Sequence, residues 1–223
     1  MSRRGMQVLA ALGRFSDEHP WSHNDVYAPF VLWHARRAGR GAAVLDVGCG
    51  TGTLLRRLAR IGSAVVGLEP DARTAALARA NVTGVRNVAV REEPFDLAVR
   101  GEPCYDVVTF VASLHHLPLA QALEAARSLL RPSGRLVIVG IAREEPRDLA
   151  WSIASVILNA GIGVVRHPRR AVAPPQSMTA PTATPLLTFS EVHGVARRAL
   201  PGIKMQRSLF WRYVAVWVAP PAQ

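Results

Sequence analysis

The sequence has few of the residues that stabilise secreted proteins or membrane-spanning helices. Among its 223 residues are two cysteines, Cys49 and Cys104, too few for a disulfide framework, which favours a reducing cytoplasm. The longest apolar stretch, 151–165, is shorter than the roughly 20 residues that a transmembrane helix needs. Met1–Gly5 is basic, but polar residues and glycine interrupt the apolar run that follows, so no signal peptide is expected.

Lysine is almost absent, since Lys204 is the only one, although the net charge is +11. The arginines that carry this charge are scattered or paired, as at Arg36–Arg37 and Arg169–Arg170, and form no basic run. This distribution favours general surface charge over a nucleic-acid partner. An acidic substrate or an acidic lipid surface remains as an alternative partner.

The chain length suits one domain with a real hydrophobic core. From Ala42 onward, short β-branched runs alternate with helical stretches rich in alanine and leucine, which is the pattern of a parallel sheet covered by helices. We therefore predict an N-terminal helical extension or lid over 1–41. The main domain is expected over 42–223, with an insert at about 142–188.

The same pattern predicts individual elements. Parallel strands are expected at 43–47, 64–68, 87–91, 105–111 and 135–140, followed by an antiparallel pair at 203–210 and 213–218. Helices are expected at 24–37, 54–60, 72–80, 119–130 and about 149–159. We also predict a turn at 132–134, a helix cap at Asp71, and a cap at Ser190 for a helix that ends at Leu200.

The strongest functional signal is the segment Asp-Val-Gly-Cys-Gly-Thr-Gly at 46–52, between a buried strand and a helix. Gly48, Gly50 and Gly52 have no side chains, so the backbone can approach a ligand closely. Dinucleotide sites carry G-x-G-x-x-G, whereas these glycines alternate with single residues and follow Asp46. Since a carboxylate suits a cation better than a diphosphate, the loop indicates a positively charged ligand.

This loop resembles the cofactor loop of class I S-adenosylmethionine (SAM)-dependent methyltransferases, and 42–140 and 203–219 fit that family throughout. The resemblance implies a Rossmann-like α/β fold: a seven-stranded, mostly parallel sheet with an antiparallel last strand and helices on both faces. It implies SAM as cofactor, S-adenosylhomocysteine (SAH) as product, and no metal. The loop residues assigned to the cofactor are Asp46, Gly48, Cys49, Gly50, Thr51 and Gly52.

The resemblance assigns further cofactor contacts at the ends of later strands. Glu69 ends the second strand, with Pro70 behind it, and its carboxylate can accept both ribose hydroxyls of SAM. The family has an acidic residue near the adenine amino group after the third strand, and either Glu92 or Glu93 can fill that role. The last two expected contacts, at the end of the fourth strand, are Val111 and Ala112.

The segment 110–118 contains Leu-His-His, which resembles the same segment of small-molecule methyltransferases such as those of quinone biosynthesis. The resemblance places His115 and His116 near the methyl acceptor, as a catalytic base or as acceptor ligands. A packing or capping role is the alternative. The Asn-Pro-Pro-Tyr motif of many enzymes that methylate base or amide nitrogens is absent, which again argues against nucleic acid.

Two further segments are candidates for the acceptor pocket. Trp21, His23, Asn24 and Tyr27 cluster just ahead of the sheet and are expected as lid or substrate contacts, with a capped helix start as the alternative. Trp151 begins the apolar face of the helix in the insert. That helix can roof the pocket, cover the sheet or contact a membrane surface.

Together these features predict an enzyme that transfers a methyl group from SAM to a small organic molecule, such as a secondary metabolite, a lipid or a quinone precursor. The alternatives are an RNA methyltransferase and a protein that binds SAM or SAH without transfer. The sequence leaves open a peripheral membrane contact and the choice between a monomer and a homodimer. The cytoplasm is the expected location.

Overall fold

The computed structural model of the protein describes residues 22–97, 104–166 and 183–222. The strands in these ranges are β1 (Ala42–Val47), β2 (Gly62–Leu68), β3 (Val88–Arg91), β4 (Tyr105–Val111), β5 (Leu130–Ile141), β6 (Lys204–Ser208) and β7 (Arg212–Val218). The α-helices are α1 (Asn24–Arg37), α2 (Thr53–Leu58), α3 (Ala72–Asn81), α4 (Leu119–Ser128), α5 (Leu149–Arg166) and α6 (Phe189–Ala199). Short 3₁₀ helices lie at Leu114–His116 and Pro146–Asp148.

The strands form one sheet in the order β3-β2-β1-β4-β5-β7-β6. The first five strands of the chain run parallel to one another, and β7 lies antiparallel between β5 and β6. This topology confirms the predicted fold class and the antiparallel last strand. The strand order reverses between β1 and β4, and open α/β sheets bind ligands at the carboxyl ends of the strands beside such a reversal.

Successive strand residues face opposite sides of the sheet. Leu45, Val108 and Ile138 pack on the side covered by α4 and α6. Val44 and Val107 pack on the other side, against α1 and α2. Helices therefore cover both faces, as predicted.

The cap of α6 differs from the prediction, because Thr188 and not Ser190 holds this position. The Thr188 hydroxyl accepts a hydrogen bond from the Glu191 amide at 3.3 Å, and the Glu191 carboxylate accepts one from the Thr188 amide at 2.7 Å. This reciprocal capping box satisfies two helix-end donors, whereas a lone serine would satisfy one. The predicted cap at Asp71 is confirmed, since its Oδ1 accepts from the Thr74 amide at 2.8 Å.

Two other boundaries were wrong. The expected turn at 132–134 lies inside β5, where the register with β4 is interrupted and Ser133 adopts a φ of 62°. Helix α5 continues to Arg166, beyond the predicted end at 159. Ile162 packs against the core on the α1 side, and this burial outweighs the low helix propensity of Gly161.

Helix α1 occupies the predicted range and is tied to the far end of the chain. It starts after His23 without a side-chain cap. The Tyr27 hydroxyl lies 2.6 Å from the Leu209 carbonyl oxygen and 2.9 Å from the Ser208 hydroxyl. These hydrogen bonds fix α1 on the turn between β6 and β7.

Helix α5 exposes part of its apolar surface. The most exposed large apolar side chains on it are Leu149, Trp151, Ile157 and Leu158. Across 22–97, 104–166 and 183–222, no helix has the length and apolar character needed to cross a membrane.

Candidate active site

A cavity of about 450 Å³ opens where β1, β2 and β4 end. Its volume falls within the range of roughly 300–1,000 Å³ that small-molecule sites occupy. The wall combines the loop after β1, the ends of β2 and β4, the start of α1, the 3₁₀ helix at Leu114–His116 and the start of β7. The cavity therefore lies at the strand-order reversal of the sheet.

The loop after β1 needs glycine for two separate reasons. Gly48, Gly50 and Gly52 have φ angles of 70°, 55° and 78°, in the left-handed region that favours glycine. A Cβ atom on Gly48 would also lie 2.5 Å from the Cβ of Ser113. The Ser113 hydroxyl donates to the Val47 carbonyl oxygen at 2.5 Å, so the glycine loop and the histidine segment are in direct contact.

Glu69 lies at the end of β2 and is 7% exposed. Its two carboxylate oxygens accept hydrogen bonds from the amides of Gly50, at 3.0 Å, and Asp71, at 3.1 Å. These bonds hold the carboxylate on the cavity wall beside the glycine loop, where it retains lone pairs for a diol.

Asp46 is almost fully buried, with 2% of its surface exposed. Its Oδ1 accepts a hydrogen bond from the Thr109 hydroxyl at 2.6 Å, across the β1–β4 pair. Burial raises the pKa of the carboxyl to about 6, against the opposing Thr109 bond and with a further contribution from the nearby charge of Glu69. At neutral pH the carboxylate is charged although it is almost fully buried, so a cationic ligand would stabilise it.

Cys49 lies between these acids, and burial, followed by the charges of Asp46 and Glu69, raises the pKa of its thiol. The thiol therefore stays protonated and is no nucleophile at neutral pH. Neither described cysteine is in a disulfide. No cluster of three or more potential metal ligands occurs in the part of the chain that the structure describes.

At the β3 end of the cavity, Glu93 lines the wall and Glu92 does not. Glu92 instead pairs with Arg79 at 2.9 Å on the surface. Phe95 also lines the cavity and packs edge-on against Phe110, with the ring centres 5.7 Å apart. Phe95 was not predicted as a site residue, although an aromatic residue directly after Glu-Glu-Pro could have indicated a contact with the cofactor.

His115 and His116 line the opposite part of the cavity, with ring centres 4.2 Å apart. Burial, followed by the proximity of His116, lowers the pKa of His115 to about 4, although a hydrogen bond with the Ala183 backbone opposes the shift. His115 is therefore neutral at pH 7, and its Nδ1 is buried without a hydrogen-bond partner. Just before this segment, Ala112 adopts a φ of 56°, an unusual value for a residue with a side chain.

Arg212, at the start of β7, is a cavity residue that the sequence analysis did not select. Its terminal nitrogens donate to the Asn24 side-chain oxygen at 3.2 Å and to the Phe210 carbonyl at 3.4 Å. Burial lowers the pKa of the guanidinium to about 10, so it stays charged at neutral pH. An arginine inside the apolar run Phe-Trp-Arg-Tyr-Val could have indicated a buried charge at this position.

Of the predicted lid and substrate residues, His23 and Asn24 line the cavity. His23 lies 2.9 Å from the Asn159 side-chain oxygen and stacks on Phe210. Burial lowers its pKa, with the Asn159 bond opposing and the Arg212 charge adding to the shift. Tyr27 does not line the cavity, because its hydroxyl is engaged by the β6–β7 turn.

Two predicted acceptor residues lie elsewhere. Trp21 lies outside the described residues. Trp151 is 47% exposed and lines a separate space of about 40 Å³ between α5 and β7. Among the predicted cofactor residues, Gly52 and Glu92 are not on the wall. Those that line the main cavity are Asp46, Gly48, Cys49, Gly50, Thr51, Glu69, Pro70, Glu93, Val111 and Ala112.

Comparison with known proteins adds four findings. A family profile described as a methyltransferase domain matches residues 45–138. The chain is 30% identical over 210 residues to an uncharacterized methyltransferase of Mycobacterium tuberculosis, which covers 91% of this chain and 99% of that protein. It is 32% identical over 146 residues to a ubiquinone biosynthesis O-methyltransferase of Acinetobacter baumannii, with 60% of this chain covered.

The match with the Acinetobacter enzyme covers only 61% of that enzyme's length. A crystal structure of a SAM-dependent methyltransferase from Aquifex aeolicus superposes with a TM-score of 0.55 at 20% identity, over 86% of this chain and 88% of that one, and supports the fold. The chain belongs to the class I SAM-dependent methyltransferase family, and its cofactor is SAM.

Proposed function

We propose that the protein transfers a methyl group from SAM to a small organic molecule, and that its cavity holds both. One observation carries this proposal: the glycine loop with Glu69 and the histidine pair lie on the wall of the same cavity. Bound SAM supplies an electrophilic methyl group on a sulfonium. The protein's task is then to hold the acceptor in line with that group, which can lower the barrier by roughly 7–11 kcal/mol.

The residues at the ends of β1 and β2 fit SAM. The left-handed glycines let the backbone approach the cofactor, and the buried Asp46 carboxylate favours its positive charge. Glu69 has an oxygen for each ribose hydroxyl. Phe95 offers an apolar surface to the adenine ring, with Glu93 near it.

The residues at the ends of β4 and β7 fit the acceptor. His115 is neutral at pH 7, so its imidazole can accept the proton that a phenol or amine loses on methylation. His116 lies beside it. His23 and Asn24 close this part of the cavity from α1. The extension up to residue 41 would then serve as a lid, with 42–223 as the methyltransferase domain.

We infer that the acceptor is an aromatic or apolar molecule, such as a secondary metabolite, a lipid or a quinone precursor. The name of the Acinetobacter relative supports oxygen as the methylated atom. Free thiols in both described cysteines support a cytoplasmic location.

Calorimetry with SAH, followed by an acceptor screen with methyl-labelled SAM, tests the proposal. We expect one SAH per chain and transfer of label to at least one phenol, catechol or amine. Binding without transfer to any acceptor would instead indicate a SAM- or SAH-binding protein. Transfer to RNA alone, with RNA affinity that falls steeply as salt rises, would favour an RNA methyltransferase.

A further inference from the structure

Among the described residues, two arginines lie on the cavity wall, in very different situations. Arg57 lies 3.4 Å from the carboxylate of Asp25, which offsets its charge. Arg212 forms no ion pair with any carboxylate that the structure describes, although it is the more deeply buried of the two. A buried charge is normally paired, because desolvation without a partner is unfavourable.

The donors of Arg212 are also incompletely used. A guanidinium has five N–H groups. The two hydrogen bonds to Asn24 and to the Phe210 carbonyl engage one donor on each terminal nitrogen. The Nε atom is buried and has no partner at all. Arg212 therefore brings both unbalanced charge and spare donors to the cavity wall.

The sheet places this charge away from the cofactor residues. Arg212 pairs with Ile141 across the β5–β7 ladder, and both residues line the cavity. From β1, the strands β4, β5 and β7 follow in order, so Arg212 lies three strand spacings, roughly 14 Å, from the glycine loop. It is close enough to His115 for its charge to contribute to the lowered pKa of that histidine.

The turn before Arg212 has an unusual backbone conformation. Phe210 and Trp211 adopt φ angles of 55° and 57°, values that bulky residues rarely take. Phe210 is buried, and its amide donates to the Ser155 hydroxyl at 2.8 Å. The surrounding structure thus stabilises an unfavourable turn conformation, and the turn fixes the direction from which Arg212 enters the cavity.

We propose that the methyl acceptor is a small carboxylic acid and that Arg212 binds its carboxylate. This inference rests on the proposed function and specifies its substrate class. The planar guanidinium matches a carboxylate through paired hydrogen bonds, and each terminal nitrogen of Arg212 keeps a donor beyond those given to Asn24 and the Phe210 carbonyl. With the carboxylate bound at β7, another group of the acceptor faces His115.

The test measures binding of acids and their amides to the SAH complex, without turnover. The probes are 3,4-dihydroxybenzoate, salicylate, 4-hydroxyphenylacetate and indole-3-acetate, each paired with its neutral amide. We expect at least one acid to bind about tenfold or more tightly than its amide, as one charge-assisted anchor provides. Equal affinities in every pair, or no binding of any acid, would overturn the proposal.

Two variants test whether Arg212 causes the preference for acids over their amides. Arg212→Gln keeps a donor for Asn24 and the Phe210 carbonyl but removes the charge, so the acid preference should disappear while SAH affinity stays unchanged. Arg131→Met removes another arginine, which is paired with Asp106 outside the cavity, and should retain the preference. If Arg212→Gln does not fold, the wild-type acid and amide affinities still decide the question.

A last comparison separates the two carboxylates that could reach Arg212. SAH has a carboxylate of its own, whereas 5′-methylthioadenosine has none. If Arg212→Gln weakens binding of SAH but not of 5′-methylthioadenosine, Arg212 holds the cofactor and the proposal is wrong. If SAH binds and only neutral acceptors are methylated, the proposed function survives and this inference alone fails.

Discussion

The two ends of the cavity differ in composition and in their origin along the chain. Around the glycine loop, the wall comes mainly from segments 46–54, 68–71 and 93–95, and its charged side chains are mostly carboxylates. Around the histidines, the wall draws on residues as distant as His23, His115 and Arg212, and it is basic and aromatic. We call these the cofactor end and the acceptor end.

Under the proposed function, this difference follows from what each end would recognise. The cofactor end would meet one constant, cationic ligand, for which backbone shape and a few acids suffice. The acceptor end gains its character from side chains of α1, the 3₁₀ helix at Leu114–His116 and β7. The contact between Gly48 and Ser113 joins the two ends.

The strongest effect is expected at the acceptor end. Replacing His115 with Gln should lower turnover about 10²- to 10⁴-fold if it is the base, and leave SAH affinity unchanged. With a pKa of about 4, the wild-type base stays unprotonated as pH falls from 8 to 5, so turnover at saturating SAM should fall only as pH approaches 4. His116→Gln is the matched variant. Normal turnover in both variants would exclude either histidine as the base.

Asp46→Asn should change stability in a pH-dependent way. The folded pKa of about 6 lies above the reference value of 3.8, so folding favours the protonated acid, and this contribution is lost as pH rises through 6. The cofactor-free variant should therefore be more stable than wild type at pH 8, on the order of 3 kcal/mol, and equally stable below pH 4. Urea unfolding at both pH values measures the difference.

The same substitution tests the role of Asp46 at the cofactor end. Wild-type affinity for SAM should fall as pH drops through about 6, because the carboxylate loses its charge. Asp46→Asn should bind SAM more weakly at pH 8 and show no such dependence. An unchanged affinity would remove Asp46 from cofactor binding.

Glu69→Ala should weaken SAH binding by a charge-assisted hydrogen-bond amount, roughly 1.5–3 kcal/mol or about 10- to 150-fold. Glu92→Ala is the matched control, since Glu92 pairs with Arg79 outside the cavity. Calorimetry of the two variants compares the loss of SAH affinity on removing Glu69, which lies on the cavity wall, with the loss on removing Glu92, which lies outside it. Equal losses, or none for Glu69, would contradict the ribose assignment.

The smallest effect is expected for Tyr27→Phe. Losing the hydroxyl removes the bonds to Leu209 and Ser208 and should lower the free energy of unfolding by about 1 kcal/mol. Because these hydrogen bonds position α1 at the acceptor end of the cavity, acceptor affinity should weaken while SAH affinity stays constant. A matching loss of SAH affinity would show that the two ends are not independent.

The difference between the cofactor end and the acceptor end also explains which features could be predicted from the sequence. Strand and helix periodicity together with the glycine motif predicted the fold and most of the cofactor end, because these features are encoded by neighbouring residues. Arg212 was not predicted as a site residue, because it reaches the cavity only through the pairing of β7 with β5. Tyr27 was chosen by its proximity in sequence to His23 and Asn24, and Trp151 by its place on the apolar face of the helix in the insert. The β6–β7 turn and α5 direct these two side chains away from the cavity.

The bond from Tyr27 to Leu209 joins residues 182 positions apart. Chains are synthesised from the N-terminus, and such non-local contacts form late because they must close a long loop. The strands beside the glycine loop can pair once β4 has left the ribosome, whereas the hydrogen bonds from Tyr27 to Ser208 and Leu209 form only after β6. A nascent chain would therefore complete the strands around the glycine loop about 100 residues of synthesis before the strand that carries Arg212.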